Sequence, residues 1–364
     1  MNENKAYLSE QIITYLGNKR SLLDFIGKGV EFAKKELKKD KLSSVDLFSG
    51  SGIVARFLKQ HSSNLVANDL ESYSKAINEC YLSNIDNNFY KELFKEHEIL
   101  SQNIINNLNE NGFIRELYSP KDELKISKDD RVFYTNYNAS YIDTARLLLE
   151  NHEYKKYFLA PLLYIASVNV NTSGVFKGFY KNKDGIGQWG GEGQNALSRI
   201  TAKMTLPMPV FSNYNVPFSV FQKDANVLAN ELDCDLCYID PPYNQHPYGS
   251  NYFMLNLITE YKKPKDISRV SGIAKGWNKS VYNIKNKASE SFFELINNLK
   301  AKIILISYNN EGFISESEFL NTLSKFGFVH KLEQNYNTYK ASRNLNSRKI
   351  YVKESLYILK KYTK

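Results

Sequence analysis

The tetrapeptide Asp240-Pro241-Pro242-Tyr243 carries the residue types in this chain best suited to chemistry. Asp240 offers a carboxylate, Pro241 a carbonyl free of any strand ladder, and Tyr243 a flat aromatic face. Two acceptors beside one stacking surface suit a planar amine, and adenine is such a group. The tetrapeptide follows the apolar run Leu236–Ile239, whose length and lack of alternation suit a strand covered on both faces. Pro241 and Pro242 end that strand, because proline has no N–H to donate and a fixed φ. Asp240 is therefore expected at the carboxyl end of a central strand, where open α/β sheets bind ligands.

A ligand held there needs a second wall, and residues 44–59 supply a candidate. A strand ending near Phe48 leads into the turn Ser49–Gly52, and a helix follows from Ile53. Gly50 and Gly52 match G-x-G-x-x-A, in which the second glycine lets a backbone approach a ligand closely. That ligand reads either as a pyrophosphate or as the amino-acid part of S-adenosylmethionine. A second strand, Leu65–Asp69, ends in an acid able to accept from ribose hydroxyls; helix capping before Leu70–Leu82 is the other reading of Asp69. Asp224, just past the strand expected at 218–224, is placed to accept the exocyclic amine of a cofactor adenine, or is an exposed loop acid. Upstream, Tyr15 and Lys19 flank the turn Gly17–Asn18, which opens an amphipathic helix at Leu22–Ile26.

The chain has 364 residues, 42% hydrophobic and 24% charged, with a net charge of +9. Those values fit a globular protein, and the positive balance with 26 Tyr and 21 Phe suits phosphate contact and base stacking. No apolar run reaches roughly 18 residues, and Met1–Glu10 does not resemble a signal peptide, so a cytoplasmic protein without a membrane span is expected. Three cysteines, Cys80, Cys234 and Cys237, are too few for a disulfide framework. The single C-x-x-C pair has no second pair to complete a zinc set, so no metal site is expected.

From about 85 to 205 the βα rhythm is lost, although Leu147–Val170 reads as one or two helices. The stretch 171–193 is rich in glycine, aromatic and basic residues, suiting either a nucleic-acid-tracking loop or a structural Ω-loop. Residues 85–205 are taken as an inserted substrate-reading region, with 1–84 and 206–364 forming the catalytic domain. Residues 244–252 are too polar and kinked for a core element and are expected at the site mouth. In 261–288, eight Lys or Arg face one acid, Asp266, which favours phosphate contact. A helix at 289–299, a strand at 302–307, a helix at 315–326 and a strand at 350–359 complete the chain.

With these pieces in order, the sequence resembles the adenine-specific DNA methyltransferases of the alpha group, which includes Dam-like enzymes and FokI-type modification methylases. Tyr15–Lys19 matches the family's Tyr/Trp-x-Gly-x-Lys motif, Phe48–Gly52 its F-x-G-x-G loop, and Asp240–Tyr243 its D-P-P-Y. The resemblance implies a Rossmann-like S-adenosylmethionine-dependent α/β fold with an inserted target-recognition domain. It implies that Tyr15, Gly17, Asn18, Lys19, Asp46, Phe48, Gly50, Gly52, Asp69, Asp224 and Asp240 bind or line the pocket of S-adenosylmethionine. It assigns Asp240, Pro241, Pro242 and Tyr243 to methyl transfer onto N6 of a flipped-out adenine in double-stranded DNA. A modification enzyme of a restriction system follows, with a cognate endonuclease acting independently. Cytosine N4 or RNA methylation, and an NAD-linked oxidoreductase on the same glycine loop, are the competing readings.

Overall fold

The computed structural model describes residues 2–194, 196–337 and 351–362. Its sheet has seven strands: β1 (Leu42–Asp46), β2 (Ser62–Asn68), β3 (Phe218–Phe221), β4 (Asp233–Ile239), β5 (Lys300–Asn309), β6 (Gly327–Asn337) and β7 (Tyr351–Lys361). They lie in the order β3-β2-β1-β4-β5-β7-β6. The first five are mutually parallel, whereas β7 runs antiparallel to both β5 and β6. The chain has the expected Rossmann-like methyltransferase architecture, with β4 near its centre.

The apolar run before Asp240 is explained by burial on both faces. Leu236 and Tyr238 join one hydrophobic cluster, while Cys237 and Ile239 join the cluster on the opposite side. The first cluster receives helices α1 (Leu23–Leu37) and α2 (Ile53–Lys59). A third helix, α3 (Ser72–Tyr81), follows β2. The region expected as an insert carries α4 (Asn87–Asn106), α5 (Asn136–Leu149) and α6 (Lys155–Val168), and none of the described sheet strands. After β3 come α7 (Ala225–Ala229), α8 (Phe253–Glu260), α9 (Lys285–Asn298) and α10 (Glu316–Leu323); α7, α9 and α10 cover the second face.

The helices between 85 and 205 do not stand apart from the rest. They share one hydrophobic cluster with α3 and α8. The buried Arg146 of α5 donates from Nε to the Ile258 carbonyl at 2.6 Å, and Tyr118 donates to the Gly272 carbonyl at 2.8 Å. The loop and helix after Tyr243 are thus packed into this helical body.

Several expectations need correction. The strand expected to end near Phe48 ends at Asp46, leaving Leu47–Gly52 as the turn. The helix expected from Leu70 begins at Ser72, so Asp69 does not cap it. Residues 244–252 are not wholly a surface loop: Asn251 and Tyr252 are buried. Strand β6 was not expected. Its polar Lys331 and Glu333 suit a sheet edge, but they break the apolar signal. The last strand runs Tyr351–Lys361, and residue 350 lies outside the described residues. No described helix is long and apolar enough to cross a membrane.

Candidate active site

A cleft of about 870 Å³, open to solvent, lies beyond the carboxyl ends of β1, β2 and β4. Tyr15, Gly17, Lys19, Asp46, Phe48, Gly50, Asp69, Asp224, Asp240 and Pro242 all line it. The turn after β1 shapes its floor. Gly50 has φ +51°, and a Cβ there would meet the Tyr15 ring at 2.9 Å, so both conformation and space call for glycine. Gly52, at φ +77°, lies behind the turn, where its own Cβ would meet Ile77 and Asn78 of α3 at 3.1 Å. Asp69 ties the two strand ends together. Its Oδ2 accepts from the Gly50 N–H at 2.7 Å and its Oδ1 from the Glu71 N–H at 3.0 Å. The Leu70 N–H also acts on this carboxylate, which still has acceptor capacity left for a ligand hydroxyl.

Asp240 sits opposite this turn and is not alone. Lys19 Nζ lies 3.3 Å from Asp240 Oδ1 and 2.8 Å from Oε1 of Glu354 on β7. All three groups are largely buried. Burial raises the Asp240 carboxyl to about 7, with Lys19 opposing and Glu354 adding to the rise. Burial alone would lower the Lys19 ammonium, but Asp240 and Glu354 outweigh it and hold it well above its ordinary value. Despite its proximity to Lys19, Asp240 Oδ1 is buried without a hydrogen-bond partner among the described residues.

Asp46, at the end of β1, is fully buried; Ser49 and the Ala55 N–H lower its carboxyl somewhat, but neither oxygen makes a well-formed hydrogen bond among the described residues. Burial raises its carboxyl to about 8, and the neighbouring Asp240 and Asp69 contribute to the rise. Such a group is costly unless a ligand supplies a donor or a positive charge. An ammonium in the cleft would supply both.

Aromatic rings close one side. Tyr15, Tyr248 and Tyr252 form a cluster of three near-parallel rings, with Tyr15 5.0 Å from Tyr248 and 4.7 Å from Tyr252, and those two 6.0 Å apart. The Leu16 N–H donates to the Tyr252 hydroxyl at 2.7 Å, and the Tyr248 hydroxyl donates to the Leu16 carbonyl at 3.2 Å. These contacts fix the N-terminal loop to the segment after Asp240. Tyr243, Pro241, Asn18 and Gly52 do not line the cleft. Tyr243 is half-buried beside it, edge-on to Tyr308 at 5.8 Å, and its hydroxyl lies 3.7 Å from the Cβ position of Gly17. Asn18 uses its Oδ1 to accept the Arg20 N–H at 2.8 Å.

The far wall comes from residues that sequence reasoning missed: Asn278, Ser280, Tyr282 and Asn283. The Tyr282 hydroxyl donates to Asn226 Oδ1 at 2.5 Å, and its ring meets Phe48 edge-on at 5.3 Å. Asn278 Nδ2 donates to the Leu70 carbonyl at 3.1 Å and to Glu71 Oε2 at 3.2 Å. Asn283 Nδ2 donates to the Asn244 carbonyl at 2.7 Å. Their only sequence signal was the basic character of the segment around them. Glu71, also missed, is buried in the wall and raised by burial to about 7. Asp224 is exposed, faces the cleft and caps α7 by accepting the Asn226 N–H at 2.8 Å. Among the described residues no group of three or more His, Cys, Asp or Glu is arranged to hold a metal, and Cys234 and Cys237 are buried in β4.

The buried Asp46 makes a stability prediction. A carboxyl whose folded value is raised holds its proton in the folded state after the unfolded chain has lost it. Its contribution is therefore fully present below the unfolded value of 3.8 and is lost as pH rises to about 8. Asp46→Asn is expected to stabilise the ligand-free protein at pH 8 by about 1–3 kcal/mol, with little change at pH 4. Urea denaturation at both pH values checks this; equal effects at the two would refute it.

Comparison with known proteins gives the site its context. The chain is 28% identical over 361 residues to the type II methyltransferase M.NlaIII of Neisseria lactamica, covering 96% of this chain and 99% of that protein. It is 29% identical to the type II methyltransferase M.CviAII of Paramecium bursaria Chlorella virus 1, over 90% of this chain and 93% of the relative. It is 28% identical to M.FokI of Planomicrobium okeanokoites, where the match spans 90% of this chain but 48% of the longer relative. The family model for D12 class N6 adenine-specific DNA methyltransferases matches residues 15–322, from the tyrosine stacked over the glycine turn to the helix beyond β5, and the chain belongs to that family.

Proposed function

We propose that this chain transfers the methyl group of S-adenosylmethionine to N6 of an adenine flipped out of double-stranded DNA, as the modification enzyme of a restriction–modification system. The observation that carries this reading is the placement of Asp240 on the wall of the same cleft that the Gly50 turn, Asp46 and Asp69 line.

S-adenosylmethionine, when bound, supplies an electrophilic sulfonium methyl. Asp46 would pair with its ammonium, the Gly50 turn would admit its amino-acid part, and Asp69 would accept from its ribose. Tyr282 and Asp224 flank the opposite end of the cleft, where the adenine edge would lie. Lys19 and Tyr15 complete the wall toward Asp240. These assignments rest on the placement of the residues and on the unmet hydrogen-bonding capacity of Asp46.

Adenine N6 is a weak nucleophile because its lone pair is delocalised into the ring. The Asp240 carboxylate and the Pro241 carbonyl each accept one N6 hydrogen, turning the lone pair out of the ring plane and toward the methyl carbon. Positive charge would grow on N6 as its bond to the methyl carbon formed and the methyl–sulfur bond broke, releasing S-adenosylhomocysteine. Fixed acceptors stabilise that charge more in the transition state than in the ground state. One N6 proton would be lost to the Asp240 carboxylate or solvent. Alignment at near-attack distance lowers the barrier further. Extrusion of the base costs a few kcal/mol, and stacking on Tyr243 offsets about 1–3 kcal/mol of it.

The DNA-facing parts are proposed as 85–205 together with the basic segment at 261–288. All eight basic side chains of that segment are exposed: Lys262, Lys263, Lys265, Arg269, Lys275, Lys279, Lys285 and Lys287. Lys275 and Lys279 flank Asn278, so phosphate contacts fall directly beside the cleft wall. Within 171–193, Lys181 and Gly187 pair as an antiparallel bridge. The loop leading to this bridge is joined to the site segment where the Phe176 N–H donates to the Asn251 carbonyl at 2.8 Å.

Asp240→Ala is expected to abolish methylation while the protein stays folded and still binds S-adenosylhomocysteine; near-wild-type methylation would rule out the role given to Asp240. Tyr243→Ala is expected to reduce turnover far more than cofactor affinity, and equal losses would remove the stacking role. Mapping N6-methyladenine by sequence context in DNA from expressing cells tests the whole reading. Replacing Lys275 and Lys279 with alanine is expected to weaken binding to any DNA. The log–log salt dependence should flatten by up to about one unit for each lysine removed. An unchanged slope in a titration from low to high salt would place these lysines off the DNA.

A further inference from the structure

We infer that Glu354 is a positioning residue for methyl transfer: it anchors the Lys19 ammonium at a fixed place beside Asp240 and so sets the orientation and charge with which the Asp240 carboxylate meets the incoming amine. This rests on the role proposed above for Asp240. Glu354 reaches the site because β7 runs antiparallel beside β5, in a register that sets Glu354 opposite Asn309. Its side chain is fixed from two directions. Ser307 Oγ donates to Glu354 Oε1 at 2.6 Å, and Lys19 Nζ donates to the same oxygen at 2.8 Å. Lys19 therefore makes its shorter contact with Glu354 and stands 3.3 Å from Asp240 Oδ1, where its charge opposes protonation of that carboxyl.

The distinction matters for the chemistry. A lysine with Asp240 as its sole carboxylate would move closer to it, shifting the carboxylate from the position that faces N6–H and making it a weaker base. A site without the lysine would leave Asp240 protonated, because burial disfavours the charged form. With Lys19 shared, the nearby cation opposes the protonation that burial favours and holds the Asp240 carboxyl at about 7, while the carboxylate keeps lone pairs for a substrate donor. The other ionisable groups facing Asp240 are Tyr238 on β4, Tyr243 and Tyr248 in the segment after it, and Asp46 at the end of β1. Burial holds the three phenols up, so they do not titrate with Asp240. Asp46 is common to the wild type and the variant below, and its contribution cancels in their comparison.

The test is Glu354→Gln, which keeps the shape and removes the charge. Lys19 then turns to Asp240, and a like charge is lost beside it; both changes make Asp240 more acidic. Single-turnover methylation of plasmid DNA from a methylase-free host, with enzyme in excess and labelled S-adenosylmethionine, reads the outcome. The expected result is a rate lower by roughly 10- to 100-fold and an acidic limb of the pH–rate profile moved down by about one unit or more. Affinity for S-adenosylhomocysteine, measured by calorimetry, should be unchanged. Glu354→Asp, which keeps the charge, should return the limb toward the wild-type position. A wild-type rate in Glu354→Gln, or a slower rate with an unmoved limb, would overturn the inference. If Glu354→Gln does not accumulate as folded protein, Ser307→Ala takes its place: a lower rate at unchanged S-adenosylhomocysteine affinity supports the inference, and a wild-type rate overturns it. Asp240→Asn run alongside separates the two claims, since turnover there would reject the role of Asp240 itself.

Discussion

One buried ammonium joins three distant parts of this chain. Lys19 enters from the N-terminal loop, Asp240 ends the central strand β4, and Glu354 lies on β7, so the salt bridges fasten the loop to the carboxyl edge of the sheet. Breaking a buried pair by removing one partner typically costs about 3–5 kcal/mol, because the remaining charge is left uncompensated. The loop is also held by stacking of Tyr15 against both Tyr248 and Tyr252. Both walls of the cleft are thereby held in place before any ligand arrives, which is the preorganisation that electrostatic catalysis needs.

The same edge gathers groups that a purely stable fold would avoid. Asp46 is fully buried with no well-formed hydrogen bond among the described residues, Asp240 keeps lone pairs for a substrate donor, and Glu71 is raised to about 7. Away from the cleft the unpartnered buried atoms among the described residues are single guanidinium nitrogens of Arg56, Arg131 and Arg146, side chains whose other nitrogens are bonded. Arg56 donates to the backbone carbonyls of Tyr7, Glu10 and Gln11, and Lys59 to those of Leu82 and Ser83. The unmet capacity is concentrated where the family's cofactor and substrate are proposed to bind, and strongly perturbed carboxyls in a cleft are a mark of functional sites.

Much of this was legible in the sequence because it is encoded locally. Leu236–Ile239 followed by two prolines announces a buried strand with an acid at its end, and Gly50 and Gly52 announce a strand-to-helix turn. The family resemblance places Tyr15–Lys19 near them. Other features depend on long-range packing and leave no local trace. Glu354 reads as an ordinary polar residue in a strand, and its partnership with Lys19, 335 positions away, exists only because β7 turns antiparallel. Tyr252 belongs to a polar, kinked stretch, yet the helical body buries it. Asn278 and Tyr282 are hidden in a lysine-rich segment whose charge drew attention outward, whereas its cleft-facing side carries the wall.

The most direct measurement of the central claim is the structure of a ternary complex with S-adenosylhomocysteine and DNA containing the methylation site. The expected result is one adenine outside the duplex, with N6 within hydrogen-bonding distance of the Asp240 carboxylate and the Pro241 carbonyl and its free side facing the cofactor sulfur. An adenine still stacked in the duplex, or an extruded base bound away from Asp240 with Lys19 hydrogen-bonded in its place, would contradict the account.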